Sequence, residues 1–275
     1  MLLLKRILNK LKFIVFYNKT INGKSIKIPI YNTVGFANFT HHEPFMDEVL
    51  IKLGSDKSKM LDVGVNVGQT LLKWKTLFPN AEYRGVEPNT TCIYYVDLLI
   101  KKNNFSNCIL FPVGLSNVTG AQYLYVQSND DSDIAGTTVK DFRENVKVKQ
   151  LAIPTFKYKD LFSKDEGFDV IKIDVEGAEL YVLETIFPIK TNVKPKIVCE
   201  ILPAYNSDNK VRIDRQNNIF KLLADNNYKI FSIERVTPVK LVELTEFGIH
   251  GDLNKCEYLF VHESEVTEIL EKFEH

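Results

Sequence analysis

The nine residues Asp62-Val63-Gly64-Val65-Asn66-Val67-Gly68-Gln69-Thr70 constrain the fold more than any other stretch of this 275-residue chain. They follow an apolar strand pattern at 59–61 and open a helical one at 71–78. A strand that turns tightly into a helix leaves free backbone N–H groups around a hollow. Gly64 and Gly68 let a ligand approach that backbone, and Asn66 is one of the few other residues that tolerates a left-handed conformation. Asp62 places a carboxylate at the strand end, a poor neighbour for phosphate and a good one for a cationic amine.

A second motif follows one unit later. Glu82-Tyr83-Arg84-Gly85-Val86-Glu87-Pro88-Asn89 reads as a strand ending in an acid, with Asn89 or Thr90 capping a helix over 91–103. An acid at the tip of the second strand of a βαβ unit accepts hydrogen bonds from ribose hydroxyls. Together the two motifs describe an adenosine-binding crevice. The plain alternative is a tight turn beside a solvated glutamate. A third constellation runs Phe168-Asp169-Val170-Ile171-Lys172-Ile173-Asp174-Val175-Glu176-Gly177-Ala178-Glu179. It is a buried strand, then an acid, then a small-residue turn into a helix, and it puts Asp174 at the same sheet edge as Gly64 and Glu87. Glu176 and Glu179 share a helical face, where acids also simply complement the helix dipole. Glu200 stands in an otherwise apolar strand and so needs a partner or a ligand.

The rest of the pattern alternates strand and helix. Strands are expected at 59–64, 82–87, 108–115, 168–174, 196–202, 228–233 and 256–262, with a short one at 239–244. Helices are expected at 45–53, 69–78, 90–103, 158–163, 178–187, 213–226 and 266–273. This order implies an α/β fold with a mostly parallel sheet covered on both faces and an antiparallel last strand. Residues 121–150 break the alternation. They begin as a strand near 123–127, turn polar at Ser128-Asn129-Asp130-Asp131-Ser132-Asp133, and continue through Gly136-Thr137-Thr138. This segment reads either as a flap over the site or as a solvated excursion.

The first 42 residues carry no Asp or Glu, and Leu3, Leu4, Ile7, Leu8, Leu11, Ile14 and Val15 recur at helical spacing among lysines. A basic amphipathic helix of this kind docks on the protein body or on a second subunit, or lies on an anionic membrane surface through residues 1–20. It is too short to span a bilayer and does not read as a signal peptide. A strand at 25–31 with a hairpin partner at 32–39 completes an appendage, 1–44, before a main domain, 45–275. Basic and acidic residues balance at 35 each, which argues against a nucleic-acid partner. The four cysteines form no C-x-x-C, so free thiols in a reducing cytoplasm are expected and a zinc site is not.

The three motifs, in this order and at strand ends, resemble the hallmark blocks of the FkbM-type methyltransferases over residues 45–262. Val113-Gly114-Leu115-Ser116-Asn117 is similar to the family's third-strand segment and residues 198–202 to its fifth. Tyr158-Lys159 stands where the family often has Leu-Asp, and the amino-terminal helix lies outside the shared pattern. The resemblance implies a class I, Rossmann-like sheet of seven strands, the cofactor S-adenosyl-L-methionine, and O-methylation of a hydroxyl on a sugar, glycan or related metabolite. It places the cofactor at Asp62, Gly64, Asn66, Gly68, Thr70, Glu87, Pro88 and Ser116, with Asp174 facing the reaction centre. Asp174, then Glu176 and Glu200, are the candidate catalytic groups, ahead of His250 and His262. Asp174 and Glu200 are too few ligands to assert a metal, and none is expected. Two rivals stand beside this reading. One is a nicotinamide-dependent oxidoreductase, against which the glycine spacing and Asp62 both argue. The other is a non-catalytic, membrane-peripheral nucleotide-binding protein.

Overall fold

A computed structural model describes residues 14–31, 34–39, 43–127, 136–139 and 148–274. The chain opens with a hairpin of β1 (Val15–Ile21) and β2 (Lys24–Ile30). Its elements then run α1 (Pro44–Leu53), β3 (Lys59–Val63), α2 (Gln69–Leu77), β4 (Glu82–Val86), α3 (Thr90–Asn103) and β5 (Cys108–Phe111). Next come β6 (Gly114–Leu115), β7 (Gly120–Gln127), β8 (Val148–Phe156), α4 (Tyr158–Leu161), β9 (Val170–Ile173), α5 (Glu179–Ile186) and β10 (Lys196–Glu200). The chain closes with α6 (Lys210–Asp225), β11 (Tyr228–Glu234), β12 (Lys240–Glu243), β13 (Glu257–His262) and α7 (Val266–Glu274).

The main sheet has eight strands in the order β12-β11-β13-β10-β9-β3-β4-β5. β3 starts in the middle; β4 and β5 add on one side and β9 and β10 on the other, all parallel. β13 enters antiparallel between β10 and β11, and β12 pairs antiparallel on the outer edge. This is the expected mostly parallel sheet, with β12 extending the implied seven strands to eight. The chain reverses its direction of growth between β3 and β9, and a crevice opens beyond the carboxyl ends of the strands at such a reversal.

Strand alternation sends successive residues to opposite faces. Met60, Tyr83, Val170, Val198 and Leu259 bury one face against α1, α2, α3, α7 and the hairpin. Leu61, Ile171, Ile173, Ile197 and Cys199 bury the other against α5 and α6. Helices therefore cover both faces, as a parallel sheet requires.

Three expectations change. The hairpin partner of β2 precedes it instead of following, and residues 36–39 form a short 3-10 turn. Asn22 and Gly23, both at positive φ, make the two-residue connection that this dipeptide favours. Val15, read as part of the basic helix, is thus in a strand; residues 1–13 lie outside the described residues. The strand expected over 108–115 breaks at Pro112, which cannot donate to a ladder. Its second half, β6, joins β8 and β7 in a separate three-stranded sheet. β8 has no counterpart among the expected strands.

The amino-terminal segment is tied to the motif loops by one buried side chain. Asn38 Nδ2 donates to the Val67 carbonyl at 2.8 Å and to the Tyr95 hydroxyl oxygen at 3.1 Å. Asn38→Ala should lower unfolding stability by about 1–3 kcal/mol, the usual cost of leaving buried polar partners unmet, as read from urea denaturation midpoints.

Candidate active site

The three motif loops converge at the β3/β9 reversal because two backbones nearly touch there. Gly64 has φ 89°, and a Cβ at that position would lie 1.8 Å from the Asp174 carbonyl oxygen. Only glycine satisfies both conditions. The Asp174 N–H donates to the Val63 carbonyl at 2.9 Å, fixing the third loop to the first. Asn66 takes φ 52°, the left-handed conformation expected of it. Gly68, at φ 76°, starts α2 and packs against α3 without lining the hollow.

Glu87 fastens the second loop to the first. Its carboxylate accepts the Asn66 N–H at 2.9 Å and the Asn89 N–H at 2.8 Å, one on each oxygen. Each oxygen keeps a further lone pair for a ligand hydroxyl. Burial pushes the Glu87 carboxyl up to about 7; the two N–H bonds work against that and the nearby Asp174 adds to it. Asn89 caps α3 by accepting the Thr91 N–H at 3.0 Å, as expected.

These loops enclose a cavity of about 250 Å³. Five carboxylates line it, Glu43, Glu87, Asp174, Glu176 and Glu200, with no lysine or arginine among the described lining residues. Gly64, Asn66 and Pro88 line it as well, and Asn66 Oδ1 is buried with no hydrogen-bond partner. Leu115, Leu124, Gly136 and Thr138 form a wall supplied by the small sheet and its neighbour segment. Thr137 pairs its backbone with Tyr125, and its hydroxyl donates to the Glu176 carbonyl at 2.7 Å. So residues 136–139, part of the polar excursion, lie over the site. Residues 128–135 and 140–147 lie outside the described residues.

Beneath the cavity one cation serves several acids. Lys172 is buried, with Nζ 3.3 Å from Asp174 Oδ2. Burial alone would lower its pKa; Asp174, Glu257, Glu200 and Asp62 overcome that and raise it well above the ordinary lysine value. The Asp174 side chain is 40% exposed, toward the cavity. Glu200 is pushed up to about 9, first by burial and then by Asp174 and Glu257. A carboxyl raised in this way favours its protonated form. Glu257, paired with Glu200 in the register of β10 and β13, is 1% exposed and has both oxygens without a hydrogen bond.

Several expected site residues lie elsewhere. Asp62 does not reach the cavity: it points into the core, where the Tyr83 hydroxyl donates to it at 2.5 Å. It lies opposite Lys172 within the covered β3–β9 ladder, two residues short of the loop where Gly64 lines the cavity. Ser116 is held by the Phe156 carbonyl at 2.9 Å, and its predecessors Gly114 and Leu115 line the hollow instead. Thr70 lies in the first turn of α2, also off the cavity. Glu179 is buried and accepts the Gly177 N–H at 2.6 Å, a loop brace. Neither His250 nor His262 lines the cavity. Among the described residues no cluster of three or more His, Cys, Asp or Glu is arranged to hold a metal. Sequence reasoning missed Glu43, which no motif contains, and Gln69 and Leu124, whose neighbours were noticed but not their inward aspect.

Comparison with known proteins gives one family and a set of distant folds. The sequence model of the Methyltransferase FkbM domain matches residues 62–230. No curated protein matches the chain. Among solved structures, a methyltransferase FkbM from Methylobacillus flagellatus KT is 18% identical at TM-score 0.44, covering 75% of this chain and 44% of its own. The chain thus spans less than half the length of that protein. Fibrillarin from Aeropyrum pernix, with natively bound S-adenosyl-L-methionine, is 11% identical at TM-score 0.46, covering 90% of this chain and 82% of its own. TYW2 of M. jannaschii, in complex with AdoMet, is 10% identical at TM-score 0.44, covering 90% and 86%.

The buried acids give the fold a pH signature. Burial raises Asp62 from 3.8 to about 7, with Tyr83 and Lys172 opposing. A carboxyl raised on folding stabilises in its protonated form. That contribution is whole below about pH 4 and is lost as pH climbs to about 7. Asp62→Asn cannot ionise and still offers Tyr83 an acceptor. Relative to this variant, the wild type should lose a few kcal/mol of unfolding stability between about pH 4 and about pH 8, each tenfold change in proton affinity being worth ~1.4 kcal/mol, as followed by urea titration at each pH.

Proposed function

This chain belongs to the methyltransferase FkbM family, and on that premise we propose that it is an S-adenosylmethionine-dependent methyltransferase whose acceptor is a hydroxyl of a sugar, glycan or related metabolite. The observation that carries the cofactor assignment to this cavity is its charge. Five acidic side chains, with no cation among the described lining residues, suit a sulfonium bearing an ammonium group. A nicotinamide dinucleotide would bring its phosphates against the same acids, which disfavours the oxidoreductase reading.

The residues present fit the group. Gly64 lines the cavity without a side chain to obstruct it, and the Asn66 side-chain oxygen is a buried acceptor with no hydrogen-bond partner. We assign these two to the methionine and ribose portion, Glu87 to the ribose hydroxyls, and Pro88 and Leu115 to the flank of the base. S-adenosylmethionine supplies an electrophilic methyl carbon on a positively charged sulfur. The protein's part is to align the acceptor oxygen and to take its proton. We assign proton removal to Asp174, whose carboxylate faces the cavity and is oriented from below by the Lys172 ammonium. Glu176 stands next to it on the loop held by Thr137. Glu200, protonated, donates to an acceptor oxygen.

We place the catalytic unit in residues 45–275 and treat 1–44 as an appendage that lends Glu43 to the cavity rim. Free thiols at Cys92, Cys108, Cys199 and Cys256 support a reducing, cytoplasmic setting. Among the described residues no helix is long and apolar enough to cross a membrane.

Calorimetric titration with S-adenosylmethionine should show Glu87→Ala binding at least about tenfold more weakly than wild type, ~1.4 kcal/mol; unchanged affinity would remove the ribose assignment. Asp174→Asn should keep cofactor binding and lose about 10²-fold or more in turnover, the low end for general-base removal. Turnover is read by mass spectrometry as methyl gain on surface glycans extracted from the host. Full activity in that variant would eliminate Asp174 as the base.

A further inference from the structure

A second and larger cavity, about 330 Å³, lies away from the motif loops and shares no lining residue with the acidic one. It sits where α5 ends and β9 and β10 begin, so most of it is at the opposite edge of the sheet. Its floor is aromatic. Tyr158 and Phe162 have ring centroids 5.0 Å apart, and Phe162 and Phe168 are 5.2 Å apart. The Tyr158 hydroxyl is turned away to the Glu166 carbonyl at 3.1 Å, leaving the ring as an apolar surface. Ile186, Phe187 and Ile189 continue that surface.

The rim has the opposite charge from the first cavity. Lys157, Lys159, Lys164 and Lys190 line it, and none of the four has an ion-pair partner among the described residues. The acid at the rim, Glu184, accepts the Asn117 side-chain N–H at 2.6 Å. Tyr158 and Lys159, at odds with the sequence pattern of the family, thus supply a ring and a cation to one hollow. Four such ammonium groups around an apolar pit call for an anion with a hydrophobic body. A volume of about 330 Å³ is at the small end of ligand pockets and suits a chain of medium length.

We propose that this cavity binds an amphiphilic anion, an unbranched acyl chain of about ten heavy atoms ending in a carboxylate, with the chain over the Tyr158–Phe162–Phe168 floor and the charge among the lysines. The site is independent of the methyl-transfer site, and its occupant does not compete with the donor.

Calorimetry on the full chain with decanoate, decanol and butyrate tests this. Decanoate should bind one to one, and decanol and butyrate each at least about tenfold more weakly, because one lacks the charge and the other the chain. The surface variant Lys159→Gln/Lys164→Gln/Lys190→Gln should bind decanoate about tenfold more weakly while its decanol affinity is unchanged. S-adenosylhomocysteine at saturation should leave decanoate binding as it was. The proposal is overturned by absence of decanoate binding, by equal affinity for decanoate and decanol, by an unaltered triple variant, or by displacement with S-adenosylhomocysteine. Failure of the Glu87 and Asp174 assignments would leave these results untouched, so the two readings are separable.

Discussion

Everything at the carboxyl edge depends on the passage of the Asp174 backbone across Gly64. A side chain at Gly64 would overlap the carbonyl it faces, so the absence of one lets the β3 and β9 loops cross at contact distance. That crossing brings the third motif over the first. Glu87 then binds the second motif to the first through two backbone N–H groups. The site is thus assembled from main-chain geometry, with side chains placed as a result. Positive φ at Gly64, Asn66, Gly68, Glu176 and Gly177 concentrates backbone cost where the loops meet.

The electrostatic arrangement beneath is lopsided. Lys172 is buried among Asp62, Asp174, Glu200 and Glu257, and these acids cannot all ionise in a medium of low polarity. Burial holds Glu200 up to about 9 and Glu257 and Asp62 up to about 7. The ammonium pairs with Asp174, which lines the cavity. Burial thereby gives acids of one chemical type unequal proton affinities.

The parts of this architecture written in local backbone demands were legible in the sequence. Gly64, Asn66 and Gly68 declare a turn, Asn89 declares a cap, and apolar runs between them declare buried strands. The alternation of elements led directly to a parallel sheet and to the edge where the motifs meet. Less legible was whatever depends on which face a residue takes or on exposed pairing. Asp62 reads as a ligand neighbour because it ends a strand, yet it lies opposite Lys172 within the covered ladder, two residues short of the loop that lines the cavity. β1 is an exposed edge strand and shows no alternation, so leucines upstream suggested a helix running into it; the Asn22-Gly23 pair was the overlooked sign. β8 carries a polar face and follows a polar segment, which hid its role in the small sheet. Glu43 reaches the cavity through tertiary placement alone.

The hydroxyl of Thr137 rests on the carbonyl of Glu176, so the covering segment and the acid-bearing loop share one fastening. The other motif loops have fastenings of their own, between Asp174 and Val63 and between Glu87 and its two amides. On the proposed assignment, selection on acceptor preference works on the cover, retuning how far Glu176 leans over the opening, while the motif loops keep their shape. In a lineage that changes what it methylates, drift should gather in the roof and spare the foundation.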